Sequence, residues 1–565
     1  MRRNSILFLI CCLWLLLSPS ELSAERLRER VYVATDRDVY VAGDAVWMSA
    51  WCVDATSGLP SEFSKIAYVE IHSAQGLVQT AKIALEGGRG AGRLTLPNTL
   101  PTGNYRLLSY TKLGASEEGF DPLTGARTLS VVNTLGTDRI PDGVKIIPHA
   151  RQKAYRNDEG SLQIRTENAA TSGSTRIRLS NSGSETIRFS LGVRHDDGIP
   201  APDDQLCITD FTGALRKLPA ARGFDPQVIP EYEGEVIRVR VSGTDEAGRR
   251  AQQDKYAFIS SPGGGENLYT EDIHADGTAT FFTTNIYGSQ NMFLEIEDPD
   301  PDNVCHLEIV SPFLNLSAGD IPPLELSAAY APALEMRNLG MQLERNFDAD
   351  TLYSDIPVTA HRILDRRRCE RYVLDDYTRF PVMEELFIEF ISQIRLQRTR
   401  GKREIQIGYH DVTDHITFPK GRALLLLDGI PVLDHEKILS YDPLLVRYID
   451  IYDGTYAFGA RTFCGIANFV TYKGTLPSIQ FEDNVRIVDF QGCPLPTAYT
   501  CEGVDRAYPD YRQTIYWHPL LTIAPGQTME IECKTPDYGG RFEVVAEGLT
   551  AQGEAVLAHA ALDIL

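Results

Sequence analysis

Apolar and polar residues alternate along most of this chain in short bursts instead of recurring at helical spacing. Val31-Tyr32-Val33 is the first burst, and Asp36, Tyr40, Gly43 and Asp44 frame a turn before Val46-Trp47-Met48-Ser49-Ala50-Trp51. Ile66-Ala67-Tyr68-Val69-Glu70-Ile71 and the stretch Leu100 to Tyr110 follow. Bursts of this length about ten residues apart predict strands joined by tight turns, the pattern of a β-sandwich. The first sandwich is predicted over 25–135. Alternation in Leu162-Gln163-Ile164-Arg165 and Ile187-Arg188-Phe189-Ser190-Leu191 predicts a second β-sandwich over 136–224. A third, over 225–316, rests on Val236 to Val241, Ala257 to Ser260, and Thr278 to Phe282, the last entered through a hairpin-type Asp276-Gly277 turn.

The pattern changes after Pro322. Leu326 to Arg345 is compatible with a helix, which makes 317–370 a partly helical connector. Met383, Leu386, Phe387, Phe390, Ile391 and Ile394 fall on one helix face, with Gly401 as its stop signal. An apolar strand, Ala423 to Leu427, then runs into Asp428-Gly429, so 371–478 reads as an α/β unit. Residues 479–565 return to strand patterning and predict a separate C-terminal sandwich. The fold class expected is mainly β, tandem sandwiches plus one α/β domain.

The first residues set the compartment. Arg2 and Arg3 precede an apolar run from Ile6 to Leu17, and Ser18-Pro19-Ser20 and Leu22-Ser23-Ala24 supply small residues for cleavage. Residues 1–24 therefore read as a secretory signal peptide, too short for a stable span. Export to the periplasm, the outer membrane or the cell surface follows. Cys11 and Cys12 lie inside the apolar run and not after small residues at its end, so a lipid anchor is not expected. No later run reaches the ~18 apolar residues that a membrane helix needs.

The formal charge of −22 argues against nucleic acid and anionic lipid as partners. Eight cysteines remain beyond the leader, scattered and without a CxxC pair, which excludes a zinc site of the usual spacing. Cys493 and Cys501 are near enough for a local disulfide, a pairing the sequence leaves open.

Candidate chemistry is sparse. His410-Asp411-Val412-Thr413-Asp414-His415 concentrates imidazoles and carboxylates, but the two histidines are five residues apart and share neither a strand face nor a helix stripe. Glu295, Glu297, Asp298, Asp300 and Asp302 crowd one turn, yet the prolines between them and the missing glycine do not fit a calcium loop. Gly263-Gly264-Gly265 lacks the Lys-Ser/Thr of a phosphate loop, Cys305-His306 point to opposite strand faces, and no G-x-S-x-G elbow occurs. We expect no catalytic residue, no metal ligand and no cofactor, and hence not an enzyme.

Two resemblances add to this reading. Asp36-x-x-x-Tyr40-x-x-Gly43-Asp44-x-Val46 followed by Pro101-x-Gly103-x-Tyr105 is similar to the second macroglobulin-type domain of α2-macroglobulin-like proteins. Leu427-Asp428-Gly429-x-Pro431, Tyr448 to Tyr452, Tyr456-x-Phe458-Gly459 and Gly465 to Gly474 resemble the plug domain of TonB-dependent outer-membrane receptors. Too few residues follow for a receptor barrel, so transport does not follow from the likeness. With Tyr508 to Pro519, the whole resembles exported Bacteroidetes-type proteins that join macroglobulin-like and plug-like domains without a barrel. The resemblance implies a non-catalytic envelope binding or scaffold protein. Its plug-like domain would meet envelope proteins, an outer-membrane complex among them. The alternative it implies is a macroglobulin-like protease inhibitor. That one would lack the thioester, because Cys493 is followed by Pro494-Leu495-Pro496 and not by a Cys-x-x-Gln segment. A hydrolase is a more distant alternative.

Overall fold

The computed structural model describes residues 27–565 except 137–142, 152–159, 243–254, 263–266, 285, 299–304, 349–352, 358–363, 365–368, 400, 411–414, 482 and 500–508. The expected signal peptide thus lies outside the described residues. The chain is mainly β, as its alternation predicts.

The first unit contains β1 (Glu29–Thr35), β2 (Val39–Val41), β3 (Ala45–Asp54), β4 (Ile66–Ser73), β5 (Gly76–Glu86), β6 (Arg89–Thr95), β7 (Gly103–Tyr110) and β8 (Arg127–Val132). Their order is β1-β3-β6-β5-β4-β7-β8-β2, but β5 meets β6 only at Leu85↔Gly90 and Glu86↔Arg89. The sheet therefore folds at that corner into two layers, which enclose Val33, Val46, Met48, Val69, Ile71, Ile83, Leu107 and Leu129. Gly43 has φ +99°, the backbone state that the turn before β3 requires. Asp44 closes that turn by accepting from the Val41 N–H at 2.9 Å.

Next come β9 (Val144–Ile147), β10 (Leu162–Thr166), β11 (Ser174–Asn181), β12 (Ile187–His195) and a short helix, Ile208–Leu215. A two-layered unit follows, from β13 (Val236–Ser242), β14 (Tyr256–Ser260), β15 (Leu268–Asp272), β16 (Thr278–Phe282), β17 (Ser289–Glu297) and β18 (His306–Ile309). The connector holds β19 (Leu324–Ser327), a helix over Ala331–Leu343 and β20 (Tyr353–Asp355). Leu326, expected in the helix, is in β19, which pairs in parallel with β9. Pro332 fixes the start of the helix in its first turn, where no N–H is needed.

Within 371–478 the strands are β21 (Glu370–Val373), β22 (Ile394–Thr399), β23 (Lys402–Ile407), β24 (Tyr409–His410), β25 (Ile416–Thr417), β26 (Leu424–Leu427), β27 (Ile430–Pro431), β28 (Val446–Phe458) and β29 (Arg461–Thr471). The main sheet runs β21-β28-β29-β26-β27, with β26 parallel to β29. The helix expected to reach Gly401 covers only Met383–Phe390. Beyond it, alternation in Ile394-Arg395-Leu396-Gln397-Arg398-Thr399 favours a strand, and Gly401, at φ +87°, sits in the turn of the β22–β23 hairpin.

The tail overturns one expectation outright. It holds β30 (Arg486–Gln491), β31 (Thr497–Tyr499), β32 (Thr514–Ile523), β33 (Thr528–Lys534), β34 (Gly540–Thr550) and β35 (Ala555–Ile564), and these do not form a separate sandwich. β30 completes the third unit beside β17. β33 pairs with β11, and β12 lies between β32 and β34 in a sheet ordered β20-β31-β32-β12-β34-β35. The units expected over 136–224 and 479–565 are thus one sandwich with a shared core, in which Ile177, Phe189 and Leu191 pack with Ile515, Phe542 and Leu562. The reason is numerical: β10, β11 and β12 alone are too few to cover two apolar faces.

Candidate functional site

A charged cavity of about 270 Å³ lies where the first sandwich meets the shared one. The loop between β1 and β2 brings Asp36 and Asp38, and β8 brings Arg127. From the other side come Arg194 of β12, His559 of β35, and Glu543 and Glu547 of β34. Positions 543, 545 and 547 all line it because alternate residues of a strand share a face.

The charges are cross-paired. Arg127 donates to Asp38 Oδ1 through Nη2 at 2.7 Å and to the Tyr32 hydroxyl through Nη1 at 2.5 Å. That hydroxyl donates in turn to Glu547 Oε2 at 2.9 Å. Arg194 donates to Glu543 Oε2 at 3.1 Å and to the Asp36 carbonyl at 3.1 Å. Burial works against ionised Asp38, but the Arg194 and Arg127 guanidiniums outweigh it and hold the carboxyl down at about 2. Burial likewise pushes the Tyr32 phenol well above its usual range. Such a network ties the two units together, with a guanidinium at hydrogen-bonding distance from Asp38 and from Glu543.

A second junction joins the third sandwich to the 371–478 unit. The β28–β29 hairpin reaches across, and the Ala460 N–H donates to the Thr270 carbonyl at 3.3 Å. Tyr456, Phe458 and Phe463 of that hairpin pack with Phe258 and Leu268. Glu297 accepts from Arg422 Nη1 at 2.5 Å and from Arg461 Nη2 at 3.0 Å, clamping both units. The acidic turn weighed as a calcium loop is therefore in use elsewhere: Glu297 holds this clamp, and Asp298 pairs with Lys255 at 2.8 Å. Residues 299–304 lie outside the described ones.

His410 and His415 are exposed in or beside the short β24–β25 pair, and Asp411 and Asp414 lie outside the described residues. Among the described residues no three His, Cys, Asp or Glu side chains are placed to hold a metal ion. Gly263 to Gly265 and Cys501 also fall outside them. Cys493 is a buried thiol against Tyr68 and Tyr110, and burial raises its pKa. Cys305 is buried in the core of the third unit.

The Asp428-Gly429 turn is built as its sequence predicts. Asp428 and Gly429 have φ +49° and +85°, and they close a two-residue hairpin with Leu427↔Ile430 pairing. Asp428 is 2 % exposed, and its carboxylate accepts from Thr471 N at 2.7 Å, Thr471 Oγ1 at 2.7 Å and Leu476 N at 2.9 Å. The turn thus ties β26 to the end of β29.

On the outer side of the same unit, Met383, Leu386 and Phe387 of the helix point inward while Ile388 is 74 % exposed. Tyr377 and Phe380 meet Phe390 at a tilt, 4.7 and 5.6 Å between ring centroids, and Phe380 and Phe390 pack against the core of the unit. Neither this patch nor the Glu297 clamp was singled out from sequence. The patch has a local signal, an isoleucine on the polar side of an amphipathic helix, whereas the clamp joins residues more than a hundred apart.

No family model matches the chain, and no curated protein matches it. Among solved structures, trypsin-activated α2-macroglobulin from Escherichia coli aligns over 96 % of this chain and 42 % of its own, at 8 % identity and a TM-score of 0.24. Salmonella α2-macroglobulin reacted with methylamine aligns over 95 % of this chain and 23 % of its own, at 9 % identity and a TM-score of 0.15. An Escherichia coli adhesin aligns over 48 % of this chain and 59 % of its own, at 12 % identity and a TM-score of 0.14. The chain spans less than half the length of the macroglobulins it aligns with.

Proposed function

We propose that this chain is a non-catalytic binding protein of a bacterial cell envelope, exported by its leader, and that its 371–478 unit meets a protein partner. The observation that carries this reading is the outer side of that unit. The β28–β29 hairpin and the Glu297 clamp fix one side of the unit to the third sandwich. The Met383–Phe390 helix is left displaying Ile388, and Tyr377 of the preceding segment is exposed as well. Exposed aliphatic and aromatic groups on a rigid helix are the composition of a protein-binding patch. The sandwiches then act as a mount, locked by the buried Arg127, Arg194, Asp38 and Glu543 network. The plug-like reading of the unit rests on the Leu427-Asp428-Gly429-x-Pro431 motif in its sequence. No helix among the described residues is long and apolar enough to cross a membrane.

The test is an affinity pull-down of the tagged full chain from its own envelope. A stoichiometric envelope protein, lost when Ile388 is changed to Asp, is the expected result. Recovery of the same proteins by wild type and I388D would refute the assignment of that face.

A further inference from the structure

The helix over Ala331–Leu343 is wedged between the first sandwich and the shared one. Arg337 is buried and donates to Asp197 Oδ2, just after β12, at 2.6 Å and to the Val39 carbonyl of β2 at 2.5 Å. Two glycines let the helix seat closely. A Cβ at Gly340 would collide with the Tyr511 carbonyl, and one at Gly43 would meet Arg345 Nη1 at 3.0 Å and Met341 Sδ at 3.1 Å. Arg345, just past the helix, donates to Asn98 of the first sandwich. The helix end is thus held from both sides at the point where the connector sets out toward the 371–478 unit.

Glu344 closes the helix and opens a single wider turn, Glu344–Asp348. Its carboxyl is partly buried and makes no hydrogen bond or ion pair among the described residues. It faces Arg37 and Asp44 of the first sandwich and Asp510 and Arg512 of the shared one. Both guanidiniums are committed elsewhere. Arg37 pairs with Asp36 at 3.1 Å and Asp44 at 3.2 Å, and Arg512 grips Asp510 through Nη2 at 2.7 Å and Nε at 2.9 Å. On the helix side, Arg337 is taken by Asp197 and Arg345 by Asn98. The carboxylates of Asp36, Asp44 and Asp510 therefore share two guanidiniums, and an ionised Glu344 would be a fourth. The last carbonyls of the helix add negative partial charge at the same end. Burial, with Asp44 and Asp510 adding to it, outweighs Arg37 and Arg512 and pushes the Glu344 carboxyl up to about 7.

We propose that Glu344 is a proton latch on the connector: protonated, it lets the end of the helix stay seated between the two sandwiches, and ionised, it drives that end off them. Once released, Glu344 ionises in the ordinary range, near 4.5. Seating is therefore complete below that pH, weakens as pH rises through the interval, and levels off above about 7. Between pH 6 and pH 8 the equilibrium shifts about tenfold toward release. On the export proposed above, the pH outside the cell is the signal.

Amide exchange of the full chain at pH 6, 7, 8 and 9, corrected for the pH dependence of the intrinsic rate, tests the latch. Protection of residues 340–347 should fall about tenfold from pH 6 to pH 8, most of it before pH 7, and then level off. Protection of β4, in the sandwich the helix leans on, should stay within about twofold. Glu344→Gln keeps the shape of the side chain and cannot ionise, so it should hold residues 340–347 at their pH 6 protection throughout. The proposal is overturned if wild-type protection there does not change, if β4 loses as much, or if the loss continues undiminished to pH 9. It is equally overturned if Glu344→Gln loses protection with pH as the wild type does.

Discussion

Replacing Asp428 by alanine removes a carboxylate that joins the Asp428-Gly429 turn to Thr471 and Leu476 of the 371–478 unit. Two of its partners are backbone N–H groups, of Thr471 and Leu476, at 2.7 and 2.9 Å; the third is the Thr471 hydroxyl at 2.7 Å. The hydroxyl can rotate to another acceptor, but the N–H groups cannot. Each buried donor left bare costs about 1–3 kcal/mol. Asp428 also sits at φ +49°, which alanine tolerates less well than aspartate by a further ~1 kcal/mol. The sum is about 3–7 kcal/mol of local stability, from the upper end of the usual range for a single substitution to beyond it. Asp428→Asn keeps one acceptor oxygen and the tolerance for that backbone state, so it should cost about half as much. The four tryptophans all lie outside this unit, so fluorescence would not see the change. Hydrogen exchange of the full chain read at Leu424 to Pro431 and at Ile466 to Tyr472 does. Exchange unchanged in Asp428→Ala, or Asp428→Asn as damaging as Asp428→Ala, would refute the role given to this carboxylate.

His435 gives a pH test. It is 4 % exposed, accepts from the Ile405 N–H at 3.0 Å, and burial, then nearby Arg422, lowers its pKa to about 4. Between pH ~6.5 and ~4 the unfolded chain binds a proton that the fold refuses, so stability falls as pH falls, by about 3 kcal/mol at the acid end. Calorimetry should show this loss shrinking in His435→Gln, and an equal loss in both proteins would contradict it. Glu297→Ala leaves Arg422 and Arg461 facing each other across the junction. It should cost about 1–2 kcal/mol, as the groups are partly exposed, and speed proteolysis between the third sandwich and the 371–478 unit. Truncation after residue 509 removes both neighbours of β12 and should expose residues 160–195 to protease; a truncated chain that keeps them protected would break the shared-sandwich topology.

Local chemistry was legible in the sequence, and long-range pairing was not. Alternation and turn residues located β1, β3, β4, β7 and β12, and Asp428-Gly429 declared its hairpin, because each is decided by neighbours within a few residues. The Met383–Phe390 helix was also visible, although Ile391 and Ile394 have an apolar spacing that suits a helix face as well as the strand beyond. What stayed hidden was which strands share a sheet. Ile187 pairs with Ile523, and nothing in either segment marks the other. The paired charges follow the same rule: nothing near Arg127, Arg194, Asp38 or Glu543 in sequence marks the others, and four distant segments bring them together.

A photoreactive benzophenone side chain placed at Ile388 of the full chain, in its own envelope, tests the binding role at the surface that carries it. The account predicts one discrete cross-linked adduct with an envelope protein from position 388, and none from a control label at exposed Leu59 on the first sandwich. Equal labelling from both positions, or no adduct from position 388, would contradict it.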